Sequence, residues 1–200
     1  MRQRSGFTTV LLAVAVLGGT AEAYCQEGPF GFQIRGGFTR PLAGFRDPAQ
    51  GWEGEARSGS SLAMGFTFPL FRVFGGYLGF SEHRFGCDEA VCPRGKPWVA
   101  TGFDVALRSV IGRGRLRGWI QGGIHTHRME GRLRGNPNPV TSRSDDSGGY
   151  EVGAGVLIQV GERTSLAPGV RYGLGNVPFE GRSTLGLRYM VFDIGLMLGF

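Results

Sequence analysis

Toward the C-terminus the large apolar residues fall on every second position. Met190, Phe192, Ile194, Leu196, Leu198 and Phe200 alternate with Val191, Asp193, Gly195, Met197 and Gly199. A period of two is the signature of a strand, because successive side chains leave a pleated backbone on opposite faces. One face here is continuous hydrocarbon, and the other carries an acid and glycines. The same alternation predicts strands over 30–39, 62–69, 73–85, 98–111, 116–127, 150–160 and 165–174, with the last strand over 185–200. Pro168 sits awkwardly inside the seventh of these and predicts a bulge.

The intervals between these strands alternate in length. Residues 40–59, 86–97, 130–148 and 175–184 are long and rich in Gly, Pro or charge, whereas 70–72, 112–115 and 161–163 are tight turns. Eight strands joined in this way predict an all-β, antiparallel up-and-down barrel. Polarity then decides which face is outside. Arg35, Asp104, Arg108, Arg117, Glu151, Arg171 and Asp193 all fall on the mixed face, while the opposite face is nearly uncharged. A soluble lipid-carrying barrel would need the charged face outward and a greasy interior. A barrel in lipid needs the reverse, and strands of this length match the roughly 9–11 residues that cross a bilayer when tilted. The expectation is a transmembrane barrel with short periplasmic turns, long extracellular loops and both termini on the periplasmic side.

The N-terminus is consistent with export. Arg2 and Arg4 precede a short apolar run, and Ala21-Glu22-Ala23 has the small-x-small form of a cleavage site, so residues 1–23 read as a signal peptide and 24–200 as the barrel domain. The run is too short to span a bilayer as a helix. Glycine, at 37 of 200 residues, follows no three-residue repeat, which excludes collagen, and 15 Phe argue against disorder. Small inward residues suit a narrow lumen. The net charge of +6 would suit nucleic acid or acidic lipid, and export leaves lipid as the expected partner. Cys87 and Cys92 enclose four residues in a polar segment and are expected to form a local disulfide, with Cys25 left over.

An outward-facing terminal strand ending in Phe resembles the closing strand of bacterial outer-membrane barrels. In that family the last Phe and the apolar residues at alternate positions before it form the assembly signal, and Phe192, Ile194, Leu196, Leu198 and Phe200 occupy those places. With the strand count and loop asymmetry, the chain resembles the small eight-stranded barrels of the OmpA transmembrane domain and OmpX type. The resemblance implies residence in the bacterial outer membrane and contact with outer-membrane lipid and lipopolysaccharide. It also implies handling by the barrel-assembly machinery, an extracellular ligand at the loops, and a monomer with no cofactor and no nucleic acid partner.

Three groups could carry chemistry. His125 and His127 share a strand face near Glu130, an arrangement open to structural hydrogen bonding, metal binding or base catalysis. Lipid A deacylases on similar barrels carry a Ser two places after a His, where this chain has His127, so the nucleophile is missing. The segment from Gly112 to Gly118 is arginine-rich but has no helix after it to make a phosphate loop, and reads as a basic turn. Asp145 and Asp146 lack the alternating ligand spacing of a calcium loop. The charges on the lumen face are expected to meet as a cluster of Arg35, Asp104, Arg108, Glu151, Arg171 and Asp193, with Arg171 and Arg35 on either side of Asp193, because a buried charge without a partner is costly. The chain therefore reads as a membrane-structural or surface-interaction barrel with a side-chain-filled lumen, not an enzyme. The alternatives are a lipid A-modifying enzyme on the same barrel and a narrow channel or carrier.

Overall fold

The computed structural model describes residues 30–43, 57–71, 73–86, 97–133, 140–179 and 184–200. The expected signal peptide, Cys25, Cys87 and Cys92 lie outside them.

The described residues form nine strands: β1 (Gly31–Ala43), β2 (Gly59–Pro69), β3 (Gly75–Phe85), β4 (Trp98–Ile111), β5 (Leu116–Leu133), β6 (Val140–Arg143), β7 (Ser147–Gln159), β8 (Thr164–Val177) and β9 (Leu185–Gly199). Each pairs antiparallel with its neighbours, and β4–β5 together with β1–β9 closes the sheet on itself. The short β6 and the long β7 occupy one position in the ring. β6 pairs with Glu130–Leu133 of β5, and β7 pairs with Leu116–His127 of the same strand. The barrel is therefore eight-stranded.

Closure satisfies the edges. The β1–β9 ladder runs from Gly31↔Gly199 up to Pro41↔Tyr189 before a shift between Pro41 and Ala43. The Phe200 N–H then donates to the Phe30 carbonyl at 3.0 Å. Phe192 stacks on Phe38 across the same seam, with ring centroids 5.0 Å apart. Tight turns close one end; in one of them Gly112 and Gly114 have φ of 106° and 82°, where side chains with a Cβ are strained. A closed barrel offers detergent no free edge. Unboiled protein should therefore migrate apart from boiled protein on a detergent gel, and deletion of Phe200 should reduce the shifted band. Coincident bands for the intact chain would rule out closure.

Three expectations need correction. The segment 130–148 is not one loop, because β5 runs on to Leu133 and β6 returns beside it. Pro168 makes no bulge: pairing with β9 is continuous through Pro168↔Ile194, and the β7–β8 ladder keeps one register on either side of Pro168. The pairs missing from the ladder lie opposite Pro168, where the ring removes a donor. The first strand also extends to Ala43 instead of ending at Thr39.

The burial pattern matches a barrel in lipid. Outward residues such as Ile34, Phe66, Phe103, Ile124, Tyr150 and Ile194 are exposed, and buried polar residues line the inside. Only a hydrocarbon solvent makes such an exterior favourable. The lumen is layered. At the loop end Phe85, Trp98, Met129, Phe179, Leu187 and Tyr189 belong to one apolar cluster, and at the turn end Val110, Trp119, Leu157, Ala167 and Met197 form another. The buried charged and histidine side chains lie between the two, while Arg117 stands at the turn end beside Leu157.

Candidate functional site

The middle of the lumen is organised by a diagonal that runs across three neighbouring strands. On β7, Glu151 pairs with Gly173; on β8, Arg171 pairs with Gly153 and Val191; on β9, Asp193 pairs with Gly169 and Gly37. Each charged residue is thus displaced by two positions from the next and keeps the same inward phase. Arg171 Nε donates to Asp193 Oδ2 at 2.8 Å, and Arg171 Nη1 donates to Glu151 Oε1 and Oε2 at 3.2 and 3.1 Å. Arg171 Nη2 lies 2.7 Å from Asp193 Oδ2 without hydrogen-bond alignment, so that contact is purely ionic. All three side chains are buried.

Arg35 does not join this group. Asp193 pairs with Gly37 and Arg35 with Gly195, which sets the two side chains two residues apart along the seam. The Arg35 guanidinium instead packs over Tyr77, 4.7 Å from the ring centroid, and none of its nitrogens has a hydrogen-bond partner. Arg108 is also held separately. Its Nε donates to Gln121 Oε1 at 3.2 Å and its Nη2 to Gln33 Oε1 at 2.9 Å, and it lies 4.9 Å from the Trp119 ring centroid. The expected six-residue cluster is in fact an Arg171–Glu151–Asp193 group, with Arg35 and Arg108 held by aromatic and amide neighbours and Asp104 facing the histidines.

Above the ionic group all three histidines of the chain converge. His125 and His127 stack at 4.2 Å with an interplanar angle of 14°, and His83 meets His127 edge-on at 5.3 Å and Tyr189 at 5.1 Å. Alternation brings His83 here: β3 points Tyr77, Gly79 and Ser81 inward, and two residues further on His83 follows. His83 belongs to no sequence motif, but the period of two over 73–85 points it inward. Glu130 is not part of this group; it is exposed and bonds Arg143 at 2.7 Å. Asp146 likewise bonds Arg128 at the rim, at 3.3 Å.

Ring orientation limits the chemistry of this group. Lone pairs of an imidazole lie in the ring plane, so two parallel stacked rings cannot aim at one ion. Among the described residues no three His, Cys, Asp or Glu side chains are disposed to hold a metal. Ser81 Oγ lies 3.0 Å from His127 Nε2, and Asp104 Oδ1 lies 3.5 Å from that same nitrogen. A serine relay needs the acid on the opposite ring nitrogen. His83 Nδ1 and Ser61 Oγ, 3.0 Å apart, form a second hydrogen-bonded pair.

The glycines belong to the same packing. A Cβ at Gly169 would overlap the Trp119 indole, one at Gly131 would overlap Trp98, and one at Gly173 would overlap the Tyr189 ring. Large inward side chains lie flat against the backbone of the neighbouring strand, and only glycine leaves that space.

No protein-family model matches the chain, and no curated protein sequence matches it. Solved structures do. Neisserial surface protein A superposes with a TM-score of 0.63 at 13% identity, covering 86% of this chain and 98% of that one. The outer membrane protein OprG of Pseudomonas aeruginosa gives 0.55 at 15% identity, over 90% and 100% of the two chains. The outer membrane protein AlkL, whose structure was determined in lipid bilayers, gives 0.51 at 10% identity, over 100% and 97%. At such identities the likeness concerns fold, and it agrees with the closed ring, apolar exterior and polar interior described above. By fold, the chain is a small eight-stranded β-barrel of the bacterial outer-membrane type.

Proposed function

We propose that this chain is an outer-membrane anchor with a closed lumen, acting as a membrane-structural or surface-interaction protein through its loop end. The layering of the lumen carries this reading. Trp98 at the loop end and Trp119 at the turn end are each 1% exposed, and the buried charged side chains lie between these apolar layers. Eight strands enclose a space that side chains can just fill. An ion crossing the lumen would have to pass both apolar layers and, between them, a middle in which Arg171 already serves Glu151 and Asp193.

The loop end is where contact with other molecules is favoured. β5 spans 18 residues against 11 in β2 and β3. Its upper part, with β6, carries the Arg128–Asp146 and Arg143–Glu130 pairs. Such charged, exposed pairs suit water above the bilayer. An enzyme would need a reachable nucleophile, a base and an oxyanion donor. Ser81, which bonds His127, is fully buried. Lipopolysaccharide and outer-membrane lipid are the proposed partners of the exterior, the assembly machinery that of β9, and an extracellular ligand that of the loops, with the barrel acting as a monomer.

Planar-bilayer recording tests the closed lumen. The intact protein should give no steady conductance. A stable open pore would replace the anchor reading with the channel reading.

A further inference from the structure

Five outward-facing arginines with described side chains stand on strands at the loop end: Arg40, Arg84, Arg128, Arg143 and Arg188. Three are neutralised within the chain, Arg84 by Glu82 at 2.6 Å, Arg128 by Asp146 at 3.1 Å and Arg143 by Glu130 at 2.7 Å. Arg40 and Arg188 have no hydrogen-bond or ion-pair partner among the described residues. They are also neighbours. Arg40 pairs with Met190 across the β1–β9 seam, and Arg188 is the next outward residue of β9. Two like charges side by side, while every comparable arginine has its own carboxylate, make a site that an anion completes.

What lies below them defines the anion. Descending the seam, Phe38 stacks on Phe192, and Gly36 then faces Ile194. Gly36 points outward, with nothing within 4 Å of the place a Cβ would take. It opens a shallow groove of about 530 Å³ on the lipid-facing surface, lined by Gly36, Ala154, Pro168, Val170, Phe192 and Ile194. From Arg40 to Gly36 is roughly 13 Å along the strand, within the reach of an acyl chain below its headgroup. Guanidinium groups bind phosphate by paired charge-assisted hydrogen bonds, and the apolar groove suits hydrocarbon. A soluble anion would use only the first feature and a neutral lipid only the second.

We propose that Arg40 and Arg188 bind the phosphate of an outer-leaflet glycolipid whose acyl chain lies in the groove over Gly36. This rests on the proposed function in two respects, that the loop end faces outward and that lipopolysaccharide surrounds the exterior there. The barrel thereby holds a boundary lipid at one seam, not uniformly around its circumference, and that seam is where the first and last strands close.

The test is native mass spectrometry of the folded barrel with bisphosphorylated lipid A. The intact chain should retain it, and Arg40→Gln with Arg188→Gln should weaken retention by on the order of tenfold. Arg84→Gln, whose charge is already paired, should retain it unchanged, and Gly36→Leu should weaken it with both arginines in place. Each variant must first show the heat-dependent gel shift of a closed barrel. Equal retention of dephosphorylated lipid A, equal retention of phosphatidylglycerol, or an equal loss in Arg84→Gln would overturn the site. A barrel that stays closed in bilayer recordings yet shows no phosphate dependence refutes this site alone. An open pore with phosphate-dependent binding refutes only the closed lumen.

Discussion

Replacing Arg171 by methionine should lower the unfolding free energy of the barrel by about 3–5 kcal/mol, the usual cost of removing one partner from a buried ion pair. The expected effect is large because one guanidinium serves two carboxylates. Arg171 bonds Asp193 Oδ2 and both oxygens of Glu151, and all three groups are buried in the lumen. Removing it leaves two negative charges facing each other away from water. Asp193→Asn should cost less, since Glu151 still compensates Arg171. A variant combining Arg171→Met, Glu151→Gln and Asp193→Asn should recover much of the loss, because no uncompensated charge is left on that diagonal. Urea unfolding of the folded barrel in detergent measures all three. An Arg171→Met barrel that unfolds at the midpoint of the intact chain would show that water reaches these carboxylates, and the closed-lumen reading would fall with it.

Truncating Trp119 to alanine should cost a further large amount, about 3–5 kcal/mol, typical of emptying an aromatic site in a packed core. The indole belongs to the turn-end apolar layer, lies under Arg108, and rests on Gly155 and Gly169. The shape of the site allows little collapse, because the walls are strands held in the hydrogen-bonded ring. Gly169→Val should also destabilise the barrel, since even a Cβ there overlaps the indole. Conductance separates plugging from simple packing. Trp119→Ala alone should remain closed, because the layer around Trp98 and Phe179 still blocks the loop end, where these rings meet at 5.8 Å. Trp98→Ala combined with Trp119→Ala should produce measurable current. A double variant that folds and stays silent would mean that the charged middle, not the apolar layers, seals the lumen.

Alternation along the chain determined the number of long strands, their antiparallel order and the facing of nearly every side chain. Trp98–Ile111 occurs with the expected bounds, and Arg171, Asp193, Tyr77 and the terminal apolar residues all point as their phase requires. The reason is local: a pleat of period two combined with a lipid exterior leaves one choice of face per strand. Where the lipid ends, that rule ends too. The outward face of β5 above Thr126 carries Arg128 and Glu130, so the strand continues where the pattern read as loop, paired along its edge with β6.

Register was a property of the closed ring and of no single strand. The lumen-face pattern set Arg35 beside Asp193, but closure pairs Asp193 with Gly37 and turns Arg35 toward Tyr77. The convergence of His83 with His125 and His127 was decided in the same way. It depends on how far β3 and β5 slide past β4, which the ladder sets at Ser81↔Gly102 and Gly102↔His127. Each strand must satisfy the hydrogen bonds of both neighbours at once, and the shear that results brings residues from distant parts of the chain to one depth. The Arg128–Asp146 and Arg143–Glu130 pairs of the rim depend on the segment beside each strand as well, whereas Arg84 meets Glu82 on its own strand.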